Sequence, residues 1–162
     1  MSNLLLEAYR RCFGASITYP TARVTVRQIG LGATGMDTSP LKVGFKKLLA
    51  MANAEIETVS VQDLAYIDDD PDTVIVDVRD GSERDANGAI PGSFHASRGM
   101  LEFHADPESP VHIKALNPAK RIVLYCGTGG RSALAAKTLQ DMGFADVVSL
   151  AGGFSAWRIA NA

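Results

Sequence analysis

Apolar positions change their spacing along the chain, and the changes mark its elements. Leu41, Phe45, Leu48, Leu49 and Ala52 recur three and four residues apart, the period of an amphipathic helix. Ser39-Pro40 supplies an N-cap and a proline at the first helical position, which predicts a helix over 39–56. Lys42, Lys46 and Lys47 fall on its other face and read as a solvated surface. After Ile56 short β-branched runs alternate with helical ones. Glu57 to Ser60 reads as a strand, and Ser60 with Asp63 opens a short helix in capping-box fashion. Thr73 to Val76 and Arg121 to Tyr125 are apolar without alternation, as in strands covered on both faces. Arg131 to Met142 reads as a helix with Ala135, Leu139 and Met142 inward, stopped by Gly143. Val147 to Leu150 reads as a further strand, and Gly152-Gly153 leads into a last helix carrying Phe154 and Trp157. The pattern predicts one α/β layer domain with a mainly parallel central sheet and helices on both faces.

Composition refines this picture at the N-terminus. Residues 1–38 stand apart: the first 35 carry Arg10, Arg11, Arg23 and Arg27 against a single acid, Glu7. They read as an atypical extension, either poorly ordered or an early start assignment, with Met36 opening the ordinary part. Such Arg-rich, acid-poor stretches also occur in organelle-targeting peptides. Val24 and Val26 alternate as in a short strand. The formal net charge of −2 argues against a nucleic-acid partner, which needs a clustered basic surplus. No apolar run reaches the roughly 20 residues that span a bilayer, so the expectation is a cytoplasmic protein without a membrane partner. The turn Asp68-Asp69-Asp70-Pro71 lacks the Gly and distal Glu of a calcium loop and reads as a solvated turn.

Two cysteines, Cys12 and Cys126, are too few for a disulfide framework, and no His/Cys spacing suggests a metal. Cys12 reads as incidental. Cys126 ends a buried strand, and ligands gather at the C-terminal ends of parallel strands. Gly127, Gly129 and Gly130, with Thr128 between them, let successive N–H groups turn toward one anion. The helix opened by Arg131 and Ser132 points its positive end at the same place, and Arg131 adds a permanent charge. A thiol there ionises below its ordinary value of ~8.5. The competing reading is a small apolar core residue, which would not need the glycine loop and the arginine. Asp77, Arg79 and Glu83 lie just after a buried strand, where an arginine between two carboxylates makes an internal ion-pair network. His95, His104 and His112 pair with nothing in the sequence and read as structural or surface residues. Arg98 could line the mouth of the site.

The spacing from Cys126 to Arg131 is C-x4-R. That is one residue shorter than the C-x5-R loop of thiol phosphatases and arsenate reductases, and a tighter ring suits the outer sulfur of a persulfide. The loop Cys126 to Ser132 resembles the active-site loop of the rhodanese-like, single-domain sulfurtransferase family. Two further blocks are similar to that family. One is Asp77-Val78-Arg79 with Glu83 and Gly88-Ala89-Ile90-Pro91-Gly92-Ser93, where Ala89 replaces the usual His. The other is Gly152-Gly153-Phe154-Ser155-Ala156-Trp157. The resemblance covers about 57–162, implying a catalytic domain of the rhodanese-like three-layer fold. It implies Cys126 as nucleophile and the loop Gly127 to Ser132 as persulfide cradle; Asp77, Arg79 and Glu83 read from their position as structural support, with a catalytic acid/base role as the alternative. It further implies a small anionic donor such as thiosulfate or a persulfide, a thiol or cyanide acceptor, and no metal or organic cofactor. A docking module, a phosphatase or arsenate reductase, and a thiol redox sensor are the alternatives. Residues 98–103 and the proline-containing loop after them look like a subfamily insertion.

Overall fold

The structure is a computed structural model and describes residues 41–67 and 70–162. The chain divides into two units, Met1–Ser39 and Pro40–Ala162, and all described residues belong to the second. In chain order its elements are α1 (Phe45–Glu55), β1 (Glu57–Val59), α2 (Val61–Ile67), β2 (Thr73–Asp77) and α3 (Gly81–Asn87). There follow β3 (Phe94–His95), a 3-10 turn (Arg98–Met100), α4 (Leu101–Ala105), β4 (Arg121–Tyr125), α5 (Gly130–Asp141), β5 (Val147–Leu150) and α6 (Gly153–Ala160).

The strands form one five-stranded sheet in the order β1-β5-β4-β2-β3, and every pairing is parallel. Parallel strands need crossovers and are covered on both faces, so successive residues of the inner strands β2, β4 and β5 enter opposite cores. Val74, Val76, Ile122 and Leu124 meet α4 and α5 on one face. Ile75, Val123, Tyr125, Val148 and Leu150 meet α2 and α6 on the other. Ala133, Ala135 and Ala136 are buried along α5, and such small side chains let that helix lie close to the strands. The central strand β4 stands between β2 and β5, so its C-terminal end, where Cys126 follows, is flanked by neighbours on either side.

Several sequence expectations need correction. Among the described residues the predicted helix begins at Phe45, with Gly44 as an extended N-cap (φ −79°, ψ 165°); residues 41–44 are not helical, and Ser39-Pro40 lies outside the described residues. Glycine is a poor helix residue, costing about 1 kcal/mol relative to alanine, and the chain enters the helix only after it. Of the predicted stripe, Ala52 is buried, Leu41, Phe45 and Leu48 are exposed, and Leu49 packs against the core. Met142 is also exposed rather than inward, because α5 ends at Asp141 before the Gly143 turn (φ 100°). The segment read as an insertion is the 3-10 turn and α4, which place Leu101 and Ala105 in the core. Helix α3 and strand β3 were not anticipated. Asp70 is a solvated turn residue that accepts from the Asp72 amide and the Thr73 hydroxyl, while Asp68 and Asp69, like Cys12 and Val24-Val26, lie outside the described residues.

Candidate active site

Cys126 sits at the end of β4, where the chain stops making sheet bonds and curls into α5. Two features hold that curl. Gly129 adopts φ 105° as the residue ahead of α5, a conformation open chiefly to glycine. From beneath, the amide of Phe154 donates to the Cys126 carbonyl at 2.7 Å, and that of Ser155 donates to the Gly127 carbonyl at 3.0 Å. The start of α6 thus holds two loop carbonyls. This contact requires a glycine at 153, which has φ 57°, and an added Cβ would stand 2.4 Å from the Cys126 carbonyl oxygen.

The sulfur faces donors. The Gly129 amide donates to Cys126 Sγ at 3.2 Å, and Ser132 Oγ lies 3.7 Å from it. Burial pushes the thiol up. Hydrogen bonds from the Ser132 amide and hydroxyl and from the amides of Gly129 and Thr128 outweigh burial, and the thiol titrates below its ordinary value. Cys126 is 1 % exposed, covered by the loop Gly127, Thr128, Gly129 and Gly130. Thr128 is exposed and the three glycines are partly so. Ser132 is buried at the first turn of α5, and its hydroxyl also donates to the Gly129 carbonyl at 3.0 Å.

The three charged residues placed together by the sequence separate into two pairs. Arg79 makes a buried fork with Asp77, with Nη2 to Oδ2 at 2.7 Å and Nε to Oδ1 at 2.9 Å. It donates as well to the Gly88 carbonyl at 2.7 Å. Its guanidinium lies 4.1 Å from the ring centre of Phe154 and 5.5 Å from that of Tyr125. Glu83 is not part of this network. It takes both ends of the Arg131 guanidinium, at 2.5 and 2.8 Å. The reason is the N-terminal turn of α3, where Glu83 accepts from the Asp80 amide at 3.3 Å and so faces the loop. The Arg131 fork holds the Glu83 carboxyl down at about 2. Arg131 is held on Glu83 and also lies near Asp80, and its charge acts on Cys126 across the loop. An added Cβ on Gly127 would stand 3.5 Å from Arg131 Nη2 and 4.0 Å from Glu83 Oε1, so this pair forms a wall against the loop.

Other candidates lie elsewhere. Arg98 bonds Glu102 and the Thr138 hydroxyl, tying α4 to α5. His95 Nε2 bonds the Arg79 carbonyl, and His112 Nδ1 bonds that of His104. Among the described residues no group of three or more His, Cys, Asp or Glu is placed to hold a metal ion, and no helix is long and apolar enough to cross a membrane. Sequence reasoning missed the jobs of Gly153 and of Ser149, a buried hydroxyl on β5 that donates to Ser132 Oγ at 2.8 Å. The only signal in the sequence was a serine inside an apolar strand.

The model of the rhodanese-like domain family matches residues 60–160. The chain is similar to the thiosulfate sulfurtransferase GlpE of Shewanella oneidensis, 37% identical over 107 residues that cover 64% of this chain and 94% of that one. Among solved structures it resembles a Rhodopseudomonas palustris protein described as of unknown function and a possible tyrosine phosphatase. The two share 47% identity with a TM-score of 0.71, over 75% of this chain and 94% of that chain. The human single-domain sulfurtransferase TSTD1 is 26% identical with a TM-score of 0.53, over 63% and 95% of the two chains. A parallel sheet of this order, a cysteine loop closed by Arg131 at the end of its central strand, and a family match from 60 to 160 agree: this chain belongs to the rhodanese-like domain family.

Proposed function

We propose that the protein is a sulfurtransferase that carries a sulfane sulfur on Cys126. One observation supports this above the rest: the Gly129 amide donates to Cys126 Sγ at 3.2 Å with the Ser132 hydroxyl 3.7 Å away, and donors of this kind favour the thiolate against the cost of burial. The thiolate attacks the outer sulfur of thiosulfate. A new S–S bond forms to Cys126, the S–S bond of the donor breaks, and sulfite leaves with the electron pair. The terminal sulfur of the Cys126 persulfide carries the negative charge, and the loop amides, the Ser132 hydroxyl and the N-terminus of α5 stabilise it. A thiolate acceptor, or cyanide, then attacks that terminal sulfur, takes it, and returns Cys126 as thiolate. Arg131, held by Glu83, contributes its field and the shape of the wall. The loop residues Gly127, Thr128, Gly129 and Gly130 supply the ring, and Asp77 and Arg79 support it from below.

The similarity to a possible tyrosine phosphatase raises phosphate-ester hydrolysis as the rival. The C-x4-R ring is one residue shorter than that chemistry uses, and the nearly covered sulfur favours a donor that presents a single atom over a tetrahedral phosphoryl group. Mass spectrometry after incubation with thiosulfate is expected to add one sulfur mass to the protein and none to Cys126→Ser. Phosphate-ester turnover by a wild-type protein that takes up no sulfur would reverse the assignment.

A further inference from the structure

Ser149 is the polar member of β5, buried at 2 % exposure between Val148 and Leu150. Strand alternation turns it toward the face of the sheet that α5 covers, and Leu124 is its partner on β4. A buried hydroxyl without a partner costs stability, and this one donates to Ser132 Oγ at 2.8 Å. Ser132 Oγ has one proton and two lone pairs. With Ser149 donating into one lone pair, the Ser132 proton has two acceptors in reach, the Gly129 carbonyl at 3.0 Å and Cys126 Sγ at 3.7 Å.

The geometry assigns Ser149 as a positioning residue: its hydroxyl fixes and polarises that of Ser132, so that the Ser132 proton is delivered to whatever anion stands on Cys126. Resting sulfur and persulfide draw on the same donor. When the sulfur is neutral, the Gly129 carbonyl is the better acceptor; when it is negative, the proton turns to sulfur, and Ser149 steadies the oxygen through the turn. Chains of hydroxyls polarise one another in this way inside a protein. The charged group facing the sulfur from α5 is Arg131, itself held by Glu83 and Asp80. A change on β5 leaves that set alone.

The role in turnover rests on the sulfurtransferase reading, whereas the effect on the thiol does not, and the test separates them. In a Cys12→Ala background, the thiolate absorbance of Cys126 is titrated in the ultraviolet. Ser149→Ala is expected to raise the midpoint by roughly 0.3–1 unit, the loss of about one net hydrogen bond, and Ser149→Thr to restore it. In a Ser132→Ala background, Ser149→Ala is expected to shift the midpoint no further. An unmoved midpoint in Ser149→Ala, or an equal shift with Ser132 already removed, would overturn the assignment. Sulfur uptake by the same variants is read separately by mass. A wild-type protein that takes up no sulfur from thiosulfate, persulfide or any other donor sinks the transferase reading, and the titration still decides Ser149.

Discussion

Arg131 is the residue whose role depends most on its partner. A free guanidinium beside a thiolate would compete for the sulfur and bind any passing anion. Clamped by the two oxygens of Glu83 at 2.5 and 2.8 Å, it becomes a fixed wall with a field. Both side chains are more than a third exposed, so the pair is worth at most about 1 kcal/mol to stability after solvent screening. Its value lies in geometry. Glu83→Gln is therefore expected to move the urea midpoint little while lowering sulfur-transfer kcat/KM by up to about tenfold. A loss of stability with unchanged turnover would refute this. The carboxyl titrates at about 2, below its ordinary 4.5. The pair's contribution is thus complete above that ordinary value and fades only as the pH falls toward 2, so Glu83 protonation does not limit turnover at neutral pH. No local rule could have found this partner, since Glu83 and Arg131 are 48 residues apart.

At the scale of elements, the site is a junction of β4, α5 and the start of α6. The strand, the glycine loop and the following helix could be read along the chain, because burial period and glycine placement are local signals. The grip of α6 could not, because it is made across space, by Phe154 and Ser155 amides on the Cys126 and Gly127 carbonyls. The start of α1 failed for the opposite reason: the local apolar period reaches back to Leu41, but residues 41–44 are not helical and the helix follows Gly44. The junction predicts a sharp contrast between glycines. Gly153→Ala combines a left-handed backbone, about 1–2 kcal/mol, with a clash on loop backbone, roughly 1–3 kcal/mol, and should displace the Cys126 loop. Gly143→Ala carries the backbone cost alone, since an added Cβ there meets nothing within 4 Å. Denaturation midpoints should fall further for the first variant, and sulfur uptake should be lost only there. Equal loss of uptake in both would remove the grip of α6 as an explanation.

Across the whole molecule, Arg79 draws the pieces under the site together. It binds Asp77 at the end of β2 and the carbonyl of Gly88 after α3, and lies against rings from β4 and α6. The layered parallel sheet was legible because its inner strands β2 and β4 are apolar on both faces. This arginine was legible as buried and paired, but its company was not, because the rings it touches come from the far half of the chain. For Asp77, burial raises the carboxyl, and the side-chain and backbone bonds to Arg79 with Tyr125 more than reverse it, so the carboxyl titrates below 3.8. The pair's stabilisation is then fully present above the ordinary carboxylate range and lost as pH falls through the depressed value. Arg79→Leu strands a carboxylate at 0 % exposure, and such a broken buried pair costs roughly 3–5 kcal/mol. With the guanidinium gone, burial is opposed only by the backbone amide at position 79 and by Tyr125, so the Asp77 carboxyl rises and this variant gains stability relative to wild type as it is acidified. The difference between the two denaturation midpoints should be widest near pH 7 and close toward pH 3. A gap that stays constant would mean that Arg79 supports the sheet through its packing on Tyr125 and Phe154, with the Asp77 charge contributing nothing.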